Sequence, residues 1–145
     1  MKRTLRQLIR LSRQQLDEKR REQAEIYARI DQAQGQSEAL AQQMADEAVF
    51  AQADTMARMA YPAFARAAMD RRAALAERVA ALEREAEAKA EEIRQIFEEA
   101  KRYEIMLDRQ EDAAKRAADR AEQADLDEIG LTRHDPAAGP LAPDP

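Results

Sequence analysis

Few residues of this chain have any reach toward chemistry. There is one histidine and no cysteine. His134 sits in a proline-rich stretch, residues 134–145, with no regular element to orient it as a base or a ligand. The carboxylates Glu91, Glu92, Glu98 and Glu99 are close enough in sequence to suggest a metal cluster. A helical carboxylate site would pair them with a Glu-x-x-His motif, which is absent, so a solvated helix face is the better reading. No glycine-rich phosphate loop and no nucleophile elbow occurs. Nothing poises a reactive group, so no catalytic, cofactor-binding or metal-ligating residue is assigned and the chain reads as a non-enzyme. An N-terminal basic run could contact nucleic acid, but no aromatic side chains are interleaved with it for base stacking.

The elements behind these residues are more telling. A 3-4 spaced stripe reads Leu5, Ile9, Ser12, Leu16, Lys19, Gln23, Ile26, Ile30, Ala33, Ser37, Leu40 and Met44 in the first half. In the second half it reads Leu75, Val79, Leu82, Ala86, Lys89, Ile93, Ile96, Ala100, Tyr103, Leu107, Gln110, Ala114, Ala117 and Ala121. Such a repeat keeps one narrow face of an under-wound helix toward a partner helix, which is a coiled-coil seam rather than a globular core face. The pattern predicts a long helical rod.

Composition agrees. The 145 residues include 3 Gly, 5 Pro and no Trp; 37% are charged and 4% aromatic. Helix formers dominate, as in coiled coils, and so few large apolar residues could not fill a compact core. The net charge of −5 is spread over interspersed signs, which argues against nucleic-acid and anionic-membrane roles. The lack of cysteine excludes disulfides and thiolate metal sites. No apolar run approaches the ~20 residues of a membrane span, and no signal-peptide core opens the chain, so a soluble protein without membrane insertion is expected.

The expected fold is all-α: a long antiparallel two-helix coiled-coil hairpin over residues 1–130. Helix one runs over about 3–50, a turn over about 51–61 and helix two over about 62–128. Pro62 suits a first helical turn, and Asp54 and Thr55 are possible N-caps. Gly130-Leu131-Thr132 resembles a helix stop, and residues 131–145 read as a disordered Pro-rich tail. The repeat also continues unbroken through Glu47, Ala51, Asp54, Arg58, Tyr61, Ala65, Ala68 and Arg72, so a continuous helix in a parallel dimer satisfies the same register. Pro62 and the charged seam positions Glu47, Asp54, Arg58 and Arg72 favour the hairpin, which implies a monomer. Charge favours it too. Residues 1–21 hold eight basic against two acidic residues, net +6; residues 98–128 hold eleven acidic against six basic, net −5. Folding back near residue 58 sets these segments against each other, which selects the antiparallel orientation.

Two regions suggest partner contacts. Met44, Phe50, Met56, Met59, Tyr61, Phe64 and Met69 cluster around the expected turn. Flexible methionines and flat aromatics compose a binding surface, or they seal the end of the seam; both uses are open. At the other end, helix two outruns helix one by about ten to fifteen residues, which leaves an Ala114-Ala117-Ala121 face without an internal partner. Lys2, Arg3 and Arg6 come to the same end.

Tyr61-Pro62-Ala63-Phe64 looks like the Tyr-x-x-Phe that opens the second helix of one known family. Ala124-Asp125-Leu126-Asp127-Glu128-Ile129 looks like that family's C-terminal apolar-Asp-Glu signature. With this order and spacing, helix one through about Arg133 resembles the FliJ family of the bacterial flagellar type III export apparatus. The many alanines and the Pro-rich tail depart from the family pattern. The resemblance implies a stalk similar to that of rotary ATPases, binding no nucleotide itself, in the cytoplasm and peripherally associated with the inner membrane at the flagellar base. Its implied partners are a hexameric export ATPase, the cytoplasmic domain of the export gate, and the export chaperones it escorts. The implied gate-binding tip uses Tyr61 and Phe64, with Ala68 continuing the face and Met44 and Phe50 beside them. The implied ATPase end uses Lys2, Arg3, Arg6, Ala114, Ala117 and Ala121. A virulence-type secretion stalk and a homodimeric scaffolding coiled coil are the competing readings.

Overall fold

The structure, a computed structural model, describes residues 2–133. Two helices account for them: α1 Lys2–Ala53 and α2 Thr55–Arg133, with Asp54 alone between. Alanine, glutamate, arginine, glutamine and leucine fill both, and β-branched residues occur singly, so propensity favours helix throughout. Gly35 and Gly130 both lie inside helices, and neither faces a neighbouring atom that a Cβ would strike.

The helices differ from the expected bounds at three places. The turn is one residue where about 51–61 was expected, and α2 begins at Thr55 rather than about 62. Pro62 is therefore the eighth residue of α2, not part of its first turn. It withholds the amide hydrogen that Arg58 C=O would otherwise accept, a defect placed on an exposed face where water can replace it. Helix α2 also runs through Gly130 to Arg133, and Thr132 Oγ1 donates back to Glu128 O at 2.8 Å. Residues 131–133 thus belong to the helix. The rest of the expected tail, with His134, lies outside the described residues.

The chain divides into two units. The first, Arg10–Ala100, holds the turn. Its cross-helix pairs run Lys19 with Glu92 and Ser37 with Arg72, so position falls along α2 as it rises along α1 and the pair is antiparallel. The seam follows the 3-4 stripe. Ser12, Leu16, Ile26, Ile30 and Ala33 are buried from α1, and Ala68, Leu75, Leu82, Ala86 and Ala100 from α2. Ile26, Ile30, Leu82 and Ala86 form one cluster, with Val79 packed on it. Each buried Leu or Ile here contributes roughly 1.5–3 kcal/mol. Ala33, Ala68, Ala86 and Ala100 let the helices approach but bury little, and Lys19, Gln23, Ser37, Arg72 and Lys89 interrupt the apolar stripe between them.

The second unit joins Met1–Ile9 with Lys101–Pro145, of which residues 2–9 and 101–133 are described. Leu5 and Ile9 are buried there, and Tyr103, Leu107 and Gln110 are half-buried. Arg6 Nη2 meets Glu111 Oε1 at 3.2 Å, both side chains largely exposed.

Candidate partner-binding surfaces

The turn is built by Arg58. Its backbone amide donates to Asp54 O at 3.0 Å, which opens α2 with Asp54 in the N-cap position. Its guanidinium reaches back to the end of α1: Nε donates to Ala51 O at 3.2 Å and Nη2 to Gln52 O at 2.9 Å. Those carbonyls are among the last of α1 and have no amide of their own helix to bond. One side chain therefore ends one helix while its main chain starts the next. Ala51, in the last turn of α1, is buried, and the absence of a Cβ-branched or long side chain there lets the chain reverse in one residue.

Around this turn the apolar residues separate by face. Tyr61, Phe64 and Met44 are half-buried, and Ala68 is 5% exposed, inside the seam. While the helices stay paired, Ala68 offers no side chain to a partner, contrary to its place on the expected gate-binding face. Phe50, Met56, Met59 and Met69 point outward, with Met56 and Met59 each 79% exposed. These four do not seal the seam. Val49, 67% exposed beside Phe50, belongs to the same region. It lies off the 3-4 stripe, and that was the available sign that it faces solvent.

The terminal unit carries the other expected set. Lys2 is half-buried, and Arg3 and Arg6 are exposed. Ala114, Ala117 and Ala121 are all exposed, as is every residue from Asp112 to Thr132. The unpartnered segment is longer than the ten to fifteen residues expected, chiefly because α2 continues past Glu128 to Arg133.

Within the unit Arg10–Ala100 the seam also holds a closed set of charges. Lys89 Nζ lies 2.7 Å from Glu22 Oε2 and 3.4 Å from Glu92 Oε2; Lys19 Nζ lies 3.3 Å from Glu92 and 3.5 Å from Glu22. Glu22 Oε2 is shielded from water, so the two ammonium groups must supply its compensation. The hydrogen bond from Lys89 holds the Glu22 carboxyl below its ordinary value against desolvation, with the Lys19 charge helping. The hydrogen bond from Lys19 does the same for Glu92, and the bond to Glu22 raises Lys89. Gln23 Nε2 donates to Ala86 O at 3.4 Å beside them. Lys19, Gln23 and Lys89, which interrupt the stripe as sequence, are thus each met from the opposite helix, by Glu92, Ala86 O and Glu22. The glutamates that suggested a metal cluster have other work as well. Glu92 belongs to this quartet, and Arg94 bridges Glu91 and Glu98 on the outer face.

A two-helix chain of this kind is compatible with many coiled coils, and the comparison with known families decides among them. The chain matches the family described as flagellar FliJ protein over residues 1–136. It belongs to the FliJ family. No curated protein and no solved structure matched it. FliJ proteins are a non-catalytic export-component family, and membership points this chain to a flagellar export-related role. Among its described residues no helix is long and apolar enough to cross a membrane.

Proposed function

We propose that this FliJ protein is a stalk between the hexameric flagellar export ATPase and the cytoplasmic domain of the membrane export gate, and an escort for export chaperones. It works in the cytoplasm, docked at the inner membrane at the flagellar base, and it is a monomer when free. The observation that carries the reading is the run Asp112–Thr132, helical yet wholly exposed, beside the basic start of α1. A slender helical end of mixed charge fits the central hole of a ring, where close apolar packing would resist the rearrangements of turnover. Ala114, Ala117 and Ala121 supply the small-residue face, and Lys2, Arg3 and Arg6 the charge. The turn end is the gate side, where Phe50, Met56, Met59 and Met69 offer the exposed apolar surface, with Tyr61, Phe64 and Met44 beneath it. Flexible methionines beside aromatics adapt well to a partner groove. The flagellar description of the family favours this system over a virulence-type one. The paired seam of residues 10–100 disfavours a dimeric scaffold, since it is satisfied within one chain.

Deleting residues 114–133 tests the assignment of the terminal end. The truncated chain should no longer stimulate the cognate export ATPase and should still bind the gate domain. Full stimulation by the truncated chain refutes the ATPase role of this end.

A further inference from the structure

A second kind of surface lies in the unit Arg10–Ala100, between the charge quartet and the turn. Arg29, Gln32 and Gln36 of α1 and Arg71 and Arg78 of α2 line a groove of about 230 Å³. Its floor is apolar: Ala33 and Leu75, 3% and 2% exposed, close it from below. No carboxylate lines it. Arg72, between Arg71 and Arg78 in sequence, is engaged by Ser37 Oγ at 3.2 Å and does not line the groove; Arg66 and Arg84 also lie outside it. Arg29, Arg71 and Arg78 make no side-chain hydrogen bond or ion pair among the described residues. Three guanidinium groups from two helices therefore converge on one groove in a chain whose net charge is −5, with no internal anion to answer them.

We propose that this groove receives an extended acidic segment of a partner protein. The guanidinium forks are shaped to take carboxylates in pairs. Gln32 and Gln36 set two amides, each both donor and acceptor, along one wall, which suits the alternating N–H and C=O groups of an extended backbone. A bare phosphate or a lipid headgroup phosphate would use only the N–H donors of those amides and leave their carbonyl acceptors unanswered. The groove has room for a few side chains and not for a third helix, about 10 Å across. None of its lining residues belongs to the sets assigned to the turn or to the terminal end, so its fate does not depend on the stalk assignment.

The test is fluorescence anisotropy of a labelled hexaglutamate peptide titrated with the full chain. Binding should be salt-sensitive and should weaken about tenfold or more in R71Q/R78Q, as two charge-assisted contacts are lost. R29Q, on the opposite helix, should weaken it in the same direction. The control R66Q/R84Q removes the same charge from exposed positions outside the groove and should leave binding within about twofold. All these side chains are exposed, so helicity by circular dichroism should not change. The proposal is overturned if the peptide does not bind, if R71Q/R78Q binds as the native chain does, or if the control weakens binding equally. It is also overturned if inorganic phosphate, or vesicles containing phosphatidylserine, displace the peptide at equal charge concentration.

Discussion

Lys89 Nζ lies 2.7 Å from Glu22 Oε2 across the helix pair, the shortest contact of a quartet completed by Lys19 and Glu92. The four side chains retain between 26% and 46% of their exposure, so the set is screened but not dry.

The quartet makes stability depend on pH with a definite sign. Glu22 and Glu92 have folded-state values below the ordinary 4.5, Glu22 chiefly through its hydrogen bond from Lys89 and Glu92 through that from Lys19. Their contribution is complete above that ordinary value and is lost as pH falls through the lowered folded values. Lys89 is raised above 10.5, so its contribution is complete below that value and is lost as pH rises through the raised one. Thermal melts at constant ionic strength should therefore fall on both sides of a neutral plateau. Glu22→Gln with Glu92→Gln should flatten the acid limb relative to the native chain. An unchanged acid limb in that variant would show that the quartet does not contribute.

Arg58→Met should shorten the working life of the turn. It keeps the apolar stem and helix propensity but removes both donors to Ala51 O and Gln52 O. A loss of about 1–2 kcal/mol in urea unfolding is expected, the scale of charge-assisted bonds to otherwise unpaired carbonyls. Arg58→Lys should recover only part of this, because an ammonium cannot span the two carbonyls as the fork does.

Gly35→Ala should stabilise the chain. The position is helical and exposed, and the new Cβ meets nothing within 4 Å. The expected gain is about 0.5–1 kcal/mol from backbone entropy alone, read as a raised urea midpoint with unchanged slope.

The outward and seam-side residues near the turn should separate in their effects. Met56→Ser with Met59→Ser should leave the melting temperature nearly unchanged and weaken binding to an export-gate cytoplasmic domain. Tyr61→Ala with Phe64→Ala should also weaken that binding, by about 2 kcal/mol or more if they are hot spots, and should lower stability because both are half-buried. Isothermal titration beside melting curves distinguishes the two. Gate affinity that survives all four substitutions removes the turn end from the proposal.

What the sequence by itself determined is the helix, its seam and its family. The 3-4 repeat is a local property: Leu5, Ile9, Leu16, Ile26, Ile30, Leu75 and Leu82 are buried where the period puts them, because an under-wound helix turns those positions to one side whatever lies opposite. What only the tertiary structure decided are the features that depend on two distant segments at once. Lys19 and Lys89 read as breaks in the stripe until Glu92 and Glu22 meet them from the other helix. Pro62 pointed to a helix start that lies seven residues earlier. The reversal is made by Arg58 reaching back over Asp54 to the end of α1, and no residue-type preference marks that reach. The register follows from the turn, and with it the length of α2 left without a partner and the convergence of Arg29 with Arg71 and Arg78 on one groove. Spacing along one chain says which face a residue takes; only the fold says which residue of the other strand of the hairpin it will meet.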